Sequence, residues 1–141
     1  MADAVSASEA VPVAEFRAAL RGFMRTSERN ARAAGLTPQR YLLLLAIKGA
    51  PDGSQRASLT QLTRRLQLGA NTVTELVARA EQTGLVQRER AQHDRRIVHL
   101  SLTREGERRL LGALTESDEL RRELAAAFDS LVAGFHSARR R

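Results

Sequence analysis

A change of hydrophobic period at Gly84 constrains this chain more than any other feature. From about Ala70 to Thr83 the apolar residues Val73, Leu76, Val77 and Ala80 recur at helical spacing. From Leu85 to Arg90 and from Arg96 to Leu102 the pattern alternates as strands do, around a polar tip at residues 91–95. The spacing therefore predicts a helix closed by Gly84 and then a β-hairpin. Upstream, Thr60 is placed as the cap of a short helix whose Leu62 and Leu66 point inward, followed by Leu68-Gly69. Two short helices joined by a tight glycine-containing turn make a helix-turn-helix, and the hairpin behind it makes a wing.

The flanks are helical. Val13, Phe16, Leu20, Phe23 and Ser27 form an apolar stripe from Pro12, with Arg17, Arg21, Arg25 and Arg29 opposite, and Gly35 ends that helix. Thr37-Pro38 restarts a helix with a capping hydroxyl and a proline at the first helical position. Its stretch Tyr41 to Ile47 is apolar nearly all round, which a helix tolerates when neighbours cover every face. Residues 48–56 read as a loop. Thr103 caps a helix with Glu105 and Glu107 in its first turns and an apolar side of Leu110, Leu111 and Leu114. A last stripe of Leu120, Leu124, Phe128, Leu131 and Phe135 follows from near Ser117, and Thr115 to Asp118 reads either as a cap between two helices or as the interior of one bent helix.

The fold class is mainly α with a small β-hairpin wing: a winged helix-turn-helix plus a flanking helical region. The expected divisions are a disordered tail at 1–11, a helix at 12–36, the winged helix-turn-helix at 37–102 and further helices at 103–141.

Charge gives the first hint of a partner. Lys and Arg number 23 against 16 Asp and Glu, for a net charge of +7, and 22 of those cations are Arg. A GC-rich genome gives such a bias whatever the function, but the excess is local: residues 37–101 carry 10 cations and 5 anions, and the flanks are each close to balance. Guanidinium forks match phosphates and guanine edges, so a phosphate-rich partner is the expectation. With no Cys there is no thiolate nucleophile, zinc ribbon or thiol switch. No apolar run approaches the roughly 18 residues of a membrane span, so no membrane is expected and the protein is expected in the cytoplasm. His93, His99 and His136 lack metal-ligand spacing and no glycine-rich phosphate loop is present, so no metal, cofactor or enzymatic activity is expected.

An ordered set of motifs spanning about Leu36 to Leu114 resembles the MarR family of bacterial transcription regulators. Leu36-Thr37-Pro38-Gln39 is similar to the opening of the family's second helix, and Leu59-Thr60-Gln61-Leu62 to the start of its third. Thr72-Val73-Thr74, Leu76-Val77 and Arg79, then Gly84-Leu85-Val86 and Arg88, resemble its recognition helix and first wing strand. Most specific is Asp94-x-Arg96, followed after five residues by Leu102-Thr103 and then Gly106.

In a helix-turn-helix the second helix lies in the major groove and the first crosses the backbone. Turning Val73, Leu76, Val77 and Ala80 inward leaves Asn71, Thr74, Glu75 and Ala78 outward with Thr72 at the flank, and Asn and Thr suit base edges or phosphates. Thr60 and the amides after it offer a phosphate site, or a plain cap. The tip His93-Asp94-Arg95-Arg96 presents two guanidinium groups, and a narrow minor groove attracts inserted Arg. The resemblance implies that Arg96 enters that groove and Asp94 orients the wing, although Asp94 also suits a plain turn. Arg79, Arg88 and Arg95 read as phosphate clamps. Glu75 departs from the resemblance, whose members commonly carry a neutral or basic residue there. It either pairs with Arg79 four residues on or accepts a hydrogen bond from a cytosine amine.

The resemblance further implies that the helices at 12–36 and 103–141 are a helical dimerisation region that pairs with a second subunit, presenting two recognition helices to a pseudo-palindrome in double-stranded DNA. It also implies an effector pocket between the dimer helices and the winged domain. Phe16, Leu20, Phe23, Tyr41 and Leu45 would wall it and Arg17, Arg21 or Arg25 would meet an anion, so a small aromatic or amphipathic carboxylate is the expected ligand, unless those residues are plain core. The resulting expectation is a homodimeric DNA-binding regulator, in the usual case a repressor. Its rival is a winged-helix module that binds a protein and no specific DNA.

Overall fold

The computed structural model describes residues 4–114 and 118–140. These form α1 (Ala7–Ala33), α2 (Pro38–Lys48), α3 (Leu59–Leu66), α4 (Ala70–Gln82), β1 (Val86–Arg90), β2 (Val98–Leu102), α5 (Arg104–Ala113) and α6 (Asp118–Arg139). They divide into two compact units: residues 29–114, and the described parts of 1–28 and 115–141.

In the unit of residues 29–114, α2 is the centre. Thr37 Oγ1 accepts the N–H of Arg40 and Pro38 sits at the first helical turn, so the start of α2 is set locally. Tyr41, Leu43, Leu44 and Ile47 are buried against Leu62 of α3, Val73 and Val77 of α4, Leu100 of β2 and Leu110 of α5. The apolar run of α2 is not covered on every face as expected, since Leu42 remains half-exposed. Gly35 takes φ +78° after α1, and the N–H of Leu36 donates to the carbonyl of Ala31 at 2.9 Å, a left-handed helix stop.

Two expectations about local structure, the cap of α3 and the inward face of α5, need correction here. Thr60 does not cap α3. Ser58 does, accepting the N–H of Gln61 while its own N–H donates to Gln61 Oε1, a reciprocal box that satisfies two helix-end donors. The left-handed residue in the turn before α4 is Gln67 (φ +53°), whereas Gly69 is extended and serves as the N-cap. The inward face of α5 is Gly106, Leu110 and Ala113, with Leu111 left 75% exposed. The reason is at Gly106, where a Cβ would meet the carbonyl oxygen of Leu85 at 2.1 Å. That close approach fixes the rotation of α5, and a face through 106, 110 and 113 turns 111 away.

The hairpin is antiparallel, with Val86 opposite Leu102 and Arg90 opposite Val98. Its strands are shorter than the alternation suggested, because residues 91–97 form the loop. Ala57 adds an isolated bridge to Leu100, so the segment before α3 lies along the free edge of β2. Thr103 joins the layers: its hydroxyl donates to the carbonyl of Gly84 at 2.5 Å and accepts the N–H of Gly106.

In the other unit, α1 and α6 run antiparallel, with Pro12 beside Gly134 and the Phe16 and Phe128 rings 6.1 Å apart. The helix begins at Ala7, inside the stretch expected to be a disordered tail. Ser6 and Glu9 form a capping box, the N–H of Ser6 donating to Glu9 Oε2 at 3.0 Å and the N–H of Glu9 donating to Ser6 Oγ at 3.3 Å. Pro12 then lies inside the helix, and the N–H it lacks falls on an exposed turn. α5 and α6 are separate helices, because Leu114 leaves the helical conformation. Residues 115–117, where the alternatives of cap and helix interior were posed, lie outside the described residues.

Candidate nucleic-acid interface

The helix-turn-helix sorts the residues of α4 by face. Val73, Leu76, Val77 and Ala80 are buried, while Asn71, Thr72, Thr74, Glu75 and Arg79 are exposed and Ala78 is half-buried. One exposed ridge thus carries an amide, two hydroxyls, a carboxylate and a guanidinium. The hydroxyl of Thr74 donates back to the carbonyl of Ala70 at 2.9 Å, so only its lone pairs face outward. Glu75 and Arg79 form no ion pair with each other despite the favourable spacing. Thr60 is exposed in the first turn of α3, beside the Ser58 cap.

At the wing the Asp94 carboxylate folds back on Arg96. Its Oδ1 accepts the backbone N–H of Arg96 at 3.0 Å and the guanidinium Nε at 3.2 Å, and its Oδ2 lies 3.4 Å from Nη2. Those bonds to the Arg96 side chain, and then to its backbone, hold the Asp94 carboxyl below the usual carboxylate range. The Arg96 side chain is nonetheless 91% exposed, an aimed cation rather than a packed one. Arg95 is exposed beside it.

Arg88 is placed differently from a free phosphate clamp. Its Nε donates to Glu81 Oε1 at 2.8 Å, tying β1 to the last turns of α4. Sequence reasoning missed Glu81, Ser58 and Arg90, whose Nη1 donates to the carbonyl of Arg95 at 2.8 Å. Ser58 was within reach, since Ser58-x-x-Gln61 is a capping-box pattern; the other two depend on where a loop and a helix end lie in space.

The expected effector residues fall in two units. Phe16, Leu20 and Phe23 line a groove of about 410 Å³ with Arg121, Leu124, Ala125 and Phe128 of α6. Arg17, Arg21 and Arg25 are exposed on α1. Tyr41 is buried in the core of residues 29–114, and Leu45 packs against that core. Among the described residues no group of three or more His, Cys, Asp or Glu could hold a metal ion, and no helix is long and apolar enough to cross a membrane.

Comparison with known proteins agrees with this architecture. An uncharacterized HTH-type transcriptional regulator of Bacillus subtilis (strain 168), YsmB, is 30% identical over 82 residues, a match that covers 57% of the chain and 56% of the relative. The chain therefore matches little more than half the length of that relative. A mutant of MarR from E. coli, solved with operator DNA, superposes with a TM-score of 0.64 over 88% of each chain at 17% identity. AbsC, a MarR family transcriptional regulator from Streptomyces coelicolor, superposes with a TM-score of 0.62 over 96% of this chain and 83% of its own at 18% identity. These two likenesses show the fold. Residues 34–97 match the MarR family profile, and they hold the cap of α2, the helix-turn-helix and the Asp94–Arg96 wing tip. Over that winged helix-turn-helix, the chain is similar to the MarR family.

Proposed function

We propose that the protein is a sequence-specific regulator of transcription that binds double-stranded DNA as a homodimer on a pseudo-palindromic operator, acting in the cytoplasm as a repressor. The observation that carries the reading is the pairing of an exposed polar ridge on α4 with a wing tip whose Arg96 is aimed by Asp94. A ridge of Asn, Thr, Glu and Arg suits base edges in a major groove, and an exposed Arg at a hairpin tip suits the minor groove beside it. In this reading Asn71, Thr72, Thr74 and Glu75 face bases. Arg79, Arg95 and the N-terminal turn of α3 at Thr60 meet phosphates, while Arg88 serves through its bond to Glu81. Glu75, exposed on the same ridge, suits the amine of a cytosine in the major groove.

The solved complex of the E. coli relative with operator DNA supports the same partner class. The half-exposed apolar residues of α1 and α6 support a second copy as the other partner. The groove around Phe16, Leu20 and Phe23, with Arg121 among its lining residues, supports a small aromatic or amphipathic anion as effector.

The test is selection of bound duplexes from genomic fragments, followed by affinity against salt. Each neutralised phosphate steepens the log–log slope by about 0.9, so a regulator of this kind gives a steep negative slope and a shared pseudo-palindrome. Recovery of no common sequence, with weak binding to all fragments alike, overturns the reading in favour of a protein-binding winged-helix module.

A further inference from the structure

The wing tip contains one peptide unit held at both ends. The carbonyl of Arg95 accepts from Arg90 Nη1 at 2.8 Å, and the N–H of Arg96, across the same planar peptide bond, donates to Asp94 Oδ1 at 3.0 Å. Around it the N–H of Ala91 donates to the carbonyl of Ile97 and the N–H of Ile97 to the carbonyl of Asp94, closing the loop. A peptide group moves as a rigid plane between two soft dihedrals, so bonds to both of its polar atoms fix the plane and with it the direction in which the next side chain leaves. That side chain is Arg96, whose guanidinium is then steadied by the Asp94 carboxylate.

We propose that Arg90 is a positioning residue for the wing: together with Asp94 it locks the Arg95–Arg96 peptide plane and so sets the direction in which Arg96 is presented. The inference rests on the reading of the wing as a DNA contact. It assigns Arg90 a role different from that of a cation that merely meets phosphate. Fixing the tip before binding lowers the ordering cost when Arg96 meets its partner, which is where the gain in affinity arises.

The experiment uses the full-length protein, duplexes selected with it, and the variants Arg90→Ala, Arg96→Ala and the double. Arg90→Ala is expected to weaken binding by about tenfold, toward the lower end of the range for a lost specific contact, and to cost nothing further once Arg96 is already alanine. Amide exchange is expected to quicken at Arg96 and Ile97 in Arg90→Ala while core amides such as that of Leu44 keep their protection. Independent losses in the double variant, with the salt slope of Arg90→Ala reduced by about 0.9, make Arg90 a phosphate contact and overturn the proposal. Unchanged exchange at Arg96 and Ile97 overturns it as well. A wild-type protein that selects no duplex defeats the regulatory reading instead, and exchange at the tip then still decides whether Arg90 braces it.

Discussion

Residues 29–114 close a core within one chain: Leu43, Leu44, Ile47, Leu62, Val73, Val77 and Leu100 are fully buried. Among the described residues of 4–28 and 118–140, by contrast, no apolar side chain is buried. Val13, Met24, Phe128 and Phe135 stay between 46% and 58% exposed. Both regions carry apolar stripes of similar quality in the sequence. The difference is that α2 is enclosed by α3, α4, α5 and β2, whereas α1 meets α6 along a seam from Pro12 and Gly134 to Phe16 and Phe128. Two antiparallel helices have only one shared seam, so a broad stripe on each leaves apolar surface uncovered. The winged helix thus has within the chain what it needs, and the apolar surface left on the helical pair is the physical ground for the proposed homodimer.

Core truncations should separate the two regions most sharply. Leu44→Ala is expected to lower stability by about 2–5 kcal/mol at any protein concentration, because the cavity it leaves lies inside one chain. Phe128→Ala should cost little at high dilution and more as concentration rises, since in the proposed homodimer its cover is a second copy. Denaturant titrations at several protein concentrations check both, and a concentration-independent cost at Phe128 breaks the contrast.

Within the closed unit, Gly106→Ala is expected to cost about 1–3 kcal/mol, because the added Cβ meets the Leu85 carbonyl and backbone must move. The helical pair offers a control in Gly22, where a Cβ meets nothing within 4 Å. Gly22→Ala should therefore be neutral or mildly stabilising by thermal denaturation.

Arg96→Ala should weaken duplex binding by about 1–3 kcal/mol while leaving the melting temperature and oligomeric state unchanged, since the side chain is almost wholly exposed. Unchanged affinity in titrations at physiological salt removes the wing from the interface.

The smallest effect lies in the acid range. Glu105, bonded by Arg108 and then Arg109, has its carboxyl drawn down to about 2 from an ordinary 4.5. A group depressed in the folded state stabilises it above the unfolded value and loses that contribution as pH falls through the folded one. The stability advantage of wild type over Glu105→Gln should thus be full above about pH 4.5 and shrink toward about pH 2, modestly because the pair is solvated. An advantage unchanged across that window would show the pair to be structurally idle.

The comparison of regions also explains what could be read ahead of the structure. The faces of α4 were legible because Val73, Leu76, Val77 and Ala80 have a single periodicity and a single core to meet. The presence of the hairpin followed from alternation on either side of the tip, but its register, with Arg90 opposite Val98 around a loop of residues 91–97, did not. The inward face of α5 was misassigned because Leu110, Leu111 and Leu114 look alike as a stripe, and only the Leu85 carbonyl at Gly106 selects among them. The helix start before Pro12 was obscured by the proline, although Ser6-x-x-Glu9 carried the signal.

What the sequence determined by itself was the order of helices and strands, the turn glycines and the separation of buried from exposed positions on α4, all of which rest on period and local hydrogen bonding within a few residues. The tertiary structure decided the partners of charged side chains. Arg88 meets Glu81, Arg90 meets the carbonyl of Arg95, Arg109 meets the carbonyl of Ala34, and Glu75 stays apart from Arg79. A long flexible side chain can reach many acceptors at small differences in free energy, so its choice is made by backbone positions set far away in the chain, which no local pattern records.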